Sequence, residues 1–232
     1  MITGLALLGL TACSAGVASA PSGPTGTTGF HGNEPDQPPA RPSFTLTDTD
    51  GQPYDFVART QGRPTLLYFG YTNCPDECPT AMAYIAQALR TSDAALRDRT
   101  QVVFVTTDPA RDDARTLRRW LDTYGTEVVG LRGTEAEVQE AQRLVGAPTA
   151  KETGPVPTLP GQPDEHEHAA GTPPHEHTGP LGYGVAHATD IYAYDASDRL
   201  PVLYPQSVSP SDIRADLPAL ADPARPATAS QE

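Results

Sequence analysis

Cys74-Pro75-Asp76-Glu77-Cys78-Pro79 is the segment whose residue types and spacing could do chemistry. Two thiols four positions apart can lie on one side of a helical turn, close enough to share one metal ion or to oxidise to a disulfide. The thiolate is the form that binds metal and attacks disulfides, and a helix N-terminus favours it through unsatisfied N–H groups and the helix dipole. Three intervening residues separate this pair from the two-residue CxxC redox motif, and spacing alone does not choose between metal and disulfide. A purely structural disulfide is weakly motivated, because so short a loop gains little entropy from closure.

The imidazoles come next. Four of the six histidines fall in His166-Glu167-His168 and His175-Glu176-His177, among Pro, Gly and Ala. Alternating His and Glu offers imidazole and carboxylate donors without fixed geometry, which reads either as a weak auxiliary site for Cu(II) or zinc or as a solvated spacer. His187 stands apart, directly before the apolar pattern of Ile191 to Tyr194. Taken alone it is a histidine in a solvated turn.

The elements that must position these groups follow from periodicity. Phe44 to Thr47 alternates, and Asp50-Gly51 behind it signals a hairpin. Thr65 to Gly70 is nearly continuous in apolar residues, as a central strand covered on both faces would be. The cysteines sit at its C-terminal end. Met82, Ile85 and Leu89 then recur at helical spacing, with Pro79 suited to the first turn. Gln101 to Thr106 reads as a second buried strand, and Leu117, Trp120, Leu121 and Tyr124 as a helix stripe. After a short strand, Thr134-Glu135-Ala136-Glu137 has the capping-box pattern and opens a helix carrying Val138, Ala141 and Val145. Val185 to Tyr194 and Arg199 to Tyr204 flank Ala196-Ser197-Asp198 as an antiparallel hairpin. Ser209-Pro210 opens a last helix expected to end near Pro218. This order predicts an α/β layered sheet of thioredoxin-like type, with an N-terminal hairpin and a long His-rich loop insertion.

Composition supplies the boundaries. The 25 prolines and 20 glycines concentrate in Pro21–Pro42, Thr153–Gly184 and the tail after Leu220, leaving ordinary content elsewhere. One domain is expected over residues 43–220, interrupted by a flexible insertion at 153–184 and followed by a disordered tail at 221–232. Leu5 to Leu10 is an apolar run too short to span a bilayer, and Leu10-Thr11-Ala12-Cys13 follows it. This resembles a bacterial lipoprotein signal. The resemblance implies cleavage after residue 12, lipidation of Cys13 and a flexible tether over 13–42, so that the chain is extracytoplasmic and membrane-anchored. With Cys13 removed as the lipid site, Cys74 and Cys78 remain as one pair. The charged groups, 16 Lys and Arg against 29 Asp and Glu for a net −13, exclude a phosphate-neutralising nucleic-acid surface.

Several segments together resemble the Sco/SenC family of copper proteins that assist cytochrome c oxidase assembly. They are Phe44 to Gly51; Phe69-Gly70-Tyr71-Thr72-Asn73 leading into the Cys74–Pro79 motif; Thr107-Asp108-Pro109-Ala110-Arg111-Asp112; and Val185-Ala186-His187-Ala188-Thr189-Asp190-Ile191-Tyr192. The resemblance implies a thioredoxin-like domain in which Cys74, Cys78 and His187 bind one copper ion. It also implies delivery of that copper, or reduction of the receiving cysteines, at the dinuclear copper site of the oxidase. The oxidase's copper-binding subunit is then the expected partner, with a periplasmic copper chaperone or thioredoxin-like reductant upstream. The connection before the ligand histidine is longer than in typical members.

The chemistry agrees with that transfer of roles. Two thiolates are soft donors that suit Cu(I), and imidazole serves both copper oxidation states. Zinc would need a fourth ligand, from water or from the insertion. Asp108 and Asp112 have a structural reading, Asp108 ending its strand and Asp112 capping the next helix, and a family reading near the copper site; neither is expected to be a ligand. The competing function is an exported thiol-disulfide oxidoreductase cycling Cys74 and Cys78 between dithiol and disulfide. A peroxidase is less well matched, because Thr72 lies near Cys74 but the rest of that pattern is absent.

Overall fold

The computed structural model describes residues 29–155 and 182–224. Cys13 and the four insertion histidines, His166, His168, His175 and His177, lie outside the described residues.

A seven-stranded sheet organises the domain, in the order β2-β1-β5-β4-β3-β8-β9. Its parallel centre is β3 (Thr65–Gly70), β4 (Gln101–Thr106) and β5 (Val129–Arg132). On one side β1 (Thr45–Asp48) pairs antiparallel with β5 and with β2 (Pro53–Asp55), which is the expected hairpin. On the other, β8 (Ile191–Tyr194) runs antiparallel to β3, and β9 (Val202–Tyr204) closes the edge.

Every residue of β3 is buried, because helices cover both faces. Leu66 and Tyr68 point into a core shared with α2 (Glu77–Arg90), α4 (Ala114–Asp122) and α6 (Pro210–Leu220), represented by Met82, Ile85, Leu117, Ile213 and Leu217. Leu67 and Phe69, of opposite parity, point into a second core with Phe56 of α1 (Phe56–Thr60) and Val138, Ala141 and Val145 of α5 (Glu135–Val145). The period of two along the strand thus divides the core into two layers. A further short helix, α3 (Ala94–Arg99), precedes β4.

Four details differ from the sequence expectations. The span Val185–Tyr194 is two strands rather than one. Among the described residues β7 (Tyr183–Ala186) pairs with β6 (Lys151–Pro155) alone, in a separate two-stranded sheet, and the chain joins the main sheet at Ile191. The insertion placed at 153–184 therefore begins and ends in paired strands. Helix α6 continues to Leu220 past Pro218, near its C-terminus, where Ala221 N–H still donates to the Leu217 carbonyl and Leu220 is fully buried.

Finally, residues 29–42, read from composition as part of a flexible tether, lie along the domain. Asn33 bridges to Leu203 and Ala40 to Arg199. Arg41 is buried, donating to Asp198, Thr60 Oγ1 and the carbonyls of Arg63 and Asp195, with its guanidinium 4.9 Å from the Tyr194 ring centre. Composition does not register such contacts, because they depend on single residues within a Pro-rich stretch. No helix among the described residues is long and apolar enough to cross a membrane.

Candidate metal centre

β3 ends at Gly70, and the chain turns through Tyr71–Asn73 to deliver Cys74 and Cys78 to the start of α2. Gly70 is required there: a Cβ on it would sit 2.8 Å from Cys78 Sγ and 2.8 Å from the Tyr68 ring. Asp76 occupies the N-cap position of α2 but makes no side-chain capping bond. Cys78 N–H instead donates to Cys74 Sγ at 3.4 Å, so a sulfur takes one of the free helix donors.

The third group arrives from the opposite side of the sequence. His187 lies in the break between β7 and β8, and its Nε2 is 3.4 Å from Cys78 Sγ. Its Nδ1 is 2.7 Å from the Ala188 carbonyl oxygen. A carbonyl only accepts, so Nδ1 carries the proton and Nε2 presents its lone pair toward the sulfurs. The rings of Tyr71 and Tyr68 meet the imidazole edge-on at 5.5 and 6.2 Å.

The donor atoms of Cys74, Cys78 and His187 all lie within 4.8 Å of one another, the one such grouping among the described residues. Metal–sulfur bonds of about 2.3 Å allow two ligands of one ion to be at most roughly 4.6 Å apart, so the three fit a single ion with little movement. The donor set is soft, two sulfurs and one neutral nitrogen, as monovalent copper prefers.

Both cysteines are free thiols; Cys78 is buried and Cys74 half-buried. Their protonation is divided. Hydrogen bonding from Cys78 first, then from the N–H groups of Cys78 and Asp76, holds Cys74 well below the usual thiol range. Burial, reinforced by the neighbouring Cys74 sulfur, pushes Cys78 above it. Burial works against a charged His187, but its contacts with Cys74 and the Ala188 carbonyl outweigh that and raise its pKa. One half-buried thiolate beside one buried thiol can take up a soft metal with release of a single further thiol proton. The same arrangement suits disulfide exchange, with a half-buried nucleophile and a buried resolving thiol.

The two aspartates are structural. Asp112 is buried, accepting from Thr72 N–H at 3.0 Å, Thr72 Oγ1 at 2.5 Å and Thr106 Oγ1 at 2.6 Å. The cap of α4 is Asp113, one residue later than expected, whose carboxylate accepts from Thr116 N–H at 2.6 Å. Asp112 therefore braces the turn before Cys74 instead. Asp108 is also buried, pairing with Arg111 and accepting from Tyr183 Oη at 2.9 Å. Sequence reasoning assigned no role to Arg111, Tyr183 or Tyr71. Their signal was faint, a cation in the Asp-Pro-Ala-Arg-Asp segment and an aromatic in Gly-Tyr-Gly.

Comparisons with known proteins place these features in context. The SCO1/SenC family model matches residues 32–222. The mitochondrial SCO2 homolog of Mus musculus is 37% identical over 101 residues, covering 43% of this chain and 39% of that protein. The chain spans about half or less of the length of the curated relatives it matches. Among solved structures, copper-bound ScoI of Bradyrhizobium japonicum is 28% identical with a TM-score of 0.59, over 78% of this chain and 99% of that one. Apo Sco1 of Thermus thermophilus is 25% identical with a TM-score of 0.63, over 82% and 96%. The thioredoxin-like fold is shared with these structures.

Proposed function

This chain belongs to the SCO1/SenC family, and from that premise we propose that it is an extracytoplasmic copper chaperone, anchored through a lipid on Cys13. In this reading Cys74, Cys78 and His187 take one copper ion as cargo for the dinuclear copper site of cytochrome c oxidase. The convergence of two sulfurs and an imidazole nitrogen within 4.8 Å carries the reading. The Sco family is one of cytochrome c oxidase assembly proteins, which supports the oxidase's copper-binding subunit as the partner in this reading. Of the two sulfurs, that of Cys78 is buried and that of Cys74 half-buried. An acceptor thiolate would reach Cys74 first, so ligand exchange would start at that sulfur.

The test is titration of the chain carrying Cys13→Ser with Cu(I) and Cu(II), alongside Cys74→Ser, Cys78→Ser and His187→Ala. Each replacement is expected to abolish tight binding of at least one oxidation state. Tight binding of both that survives all three would refute the site.

A second reading, an exported thiol-disulfide oxidoreductase, is favoured by the division of thiol protonation. The Cys74 thiolate would attack a target disulfide, Cys78 would resolve the mixed disulfide, and the pair would end oxidised with two electrons passed to the target. His187 separates the readings: its replacement by Ala should remove copper binding under the first and spare reductase turnover under the second.

A further inference from the structure

His187 is held very differently from the cysteines it meets. Cys74 and Cys78 are fixed by β3 and α2, both in the core. The strand preceding His187, β7, lies outside the main sheet; among the described residues its strand partner is β6. Ladder bonds to the domain resume only at β8, where Tyr192 pairs with Leu67. On its N-terminal side, His187 therefore depends on whatever ties β7 to the domain.

Among the described residues, three side chains from beyond the two-stranded sheet make polar ties to β7, beside the burial of Val185 in the core. Arg111 Nη1 donates to the Tyr183 carbonyl at 2.9 Å, and its guanidinium carbon stacks 3.7 Å from the Tyr183 ring centre. Arg111 Nε donates to Asp108, which also accepts from Tyr183 Oη at 2.9 Å. Tyr71 Oη accepts from Val185 N–H at 3.3 Å, and the Tyr71 ring lies edge-on to His187. The same guanidinium is 5.7 Å from the Tyr71 ring centre, so one cation joins the turn before the cysteines to the strand before the histidine. Asp108 and Arg111 are largely covered, with side-chain exposures of 2% and 19%. Arg111 Nη1 and Asp108 Oδ1 are directed at Tyr183 of β7.

We propose that Arg111 is a positioning residue for His187: with Asp108 and Tyr183 it clamps β7 so that the imidazole meets the two sulfurs in a preformed site. The inference rests on the copper reading for its affinity readout, but the clamp itself is a property of the metal-free chain. Groups that orient a metal ligand without touching the metal typically contribute about 10–100-fold in affinity. Lysine cannot replace arginine here, because a point-charge ammonium cannot donate in a planar fork and stack on a ring at once.

The experiment is a double-mutant cycle on the full chain carrying Cys13→Ser. Cu(II) affinity and the thiolate-to-copper absorption would be measured for Arg111→Ala, Arg111→Lys, His187→Ala and Arg111→Ala/His187→Ala. Arg111→Ala and Arg111→Lys are expected to lose about 10–100-fold and to shift the absorption toward that of His187→Ala. Arg111→Ala should cost nothing further once His187 is gone. An unchanged affinity and spectrum would overturn the clamp, and so would an equal loss in both backgrounds, since that marks a general effect on the fold. Should Arg111→Ala fail to fold, Tyr183→Ala in the same cycle decides by the same two criteria. NMR of the metal-free protein keeps the two ideas apart. The His187 ring should give one sharp set of signals in the parent chain and broadened or multiple sets in Arg111→Ala or, if that does not fold, in Tyr183→Ala. A parent chain that binds no copper refutes the copper reading; unchanged ring signals in the variant refute the clamp.

Discussion

At the scale of single residues, the site is asymmetric in protonation and access. Cys74 is half-buried and held toward the thiolate, whereas Cys78 is buried and held toward the thiol. Since the thiolate is the reactive form, alkylation of the reduced protein near pH 6 should proceed at one fast site. That fast phase should vanish in Cys74→Ser and persist in Cys78→Ser. Equal slow reaction of both thiols at that pH would contradict the assignment, and rates followed by mass spectrometry would show it. Gly70 is a second residue-scale constraint. The Cβ of Gly70→Ala would meet Cys78 Sγ and the Tyr68 ring at 2.8 Å, so one of them must move. Overpacking of this kind typically costs about 1–3 kcal/mol, and here it also displaces a ligand atom. Denaturant unfolding and copper titration of Gly70→Ala should therefore both shift; a stable variant with parental affinity would show that the turn relaxes freely.

At the scale of elements, β3 and the turn after it carry the cysteines, and both are fixed by burial. Phe69, fully buried between the sheet and α5, should cost about 3–5 kcal/mol when truncated to Ala, read as a lower denaturant midpoint at unchanged slope. Asp112 acts on the same turn by accepting from Thr72 and Thr106. Asp112→Ala strands buried donors, at about 1–3 kcal/mol, and frees the backbone just before Cys74. Stability equal to the parent chain would mean water replaces the carboxylate without loss. These elements were legible in the sequence because burial on both faces leaves a nearly unbroken apolar run. The break between β7 and β8 was not. The polar His187-Ala188-Thr189-Asp190 interrupts Val185 to Tyr194, but only pairing with different sheets shows that the two flanking strands are separate.

At the scale of the whole molecule, the Pro-rich N-terminal stretch closes over the far edge of the sheet. His31 Nδ1 lies 2.6 Å from Asp216, His31 N–H donates to the same carboxylate, and Tyr204 Oη donates to it at 2.9 Å. The hydrogen bond and charge of Asp216, with Asp212 adding to them, raise the His31 pKa against the small opposing effect of burial. A raised histidine pKa adds stability that is full below its unfolded value of about 6.5 and is lost as pH rises through the folded value. The stability difference between the parent chain and His31→Ala should therefore shrink from pH 5 toward pH 8. It should stay below about 1 kcal/mol, because His31 is substantially exposed. A difference that grows with pH would contradict the pairing. Through the resemblance to the Sco/SenC family, the sequence supplied His187 as a partner of the cysteines; by itself it determined the layered α/β class and the CxxxC pair at the end of a buried strand. Those depend on local periodicity and on residue types that few other roles require. Only the tertiary structure decided that 29–42 belongs to the domain, that Asp112 braces the cysteine turn, and that Arg111 and Tyr183 hold the histidine strand. Each of those facts is a contact between residues tens of positions apart, and no local pattern encodes which distant side chain a buried carboxylate or guanidinium will meet.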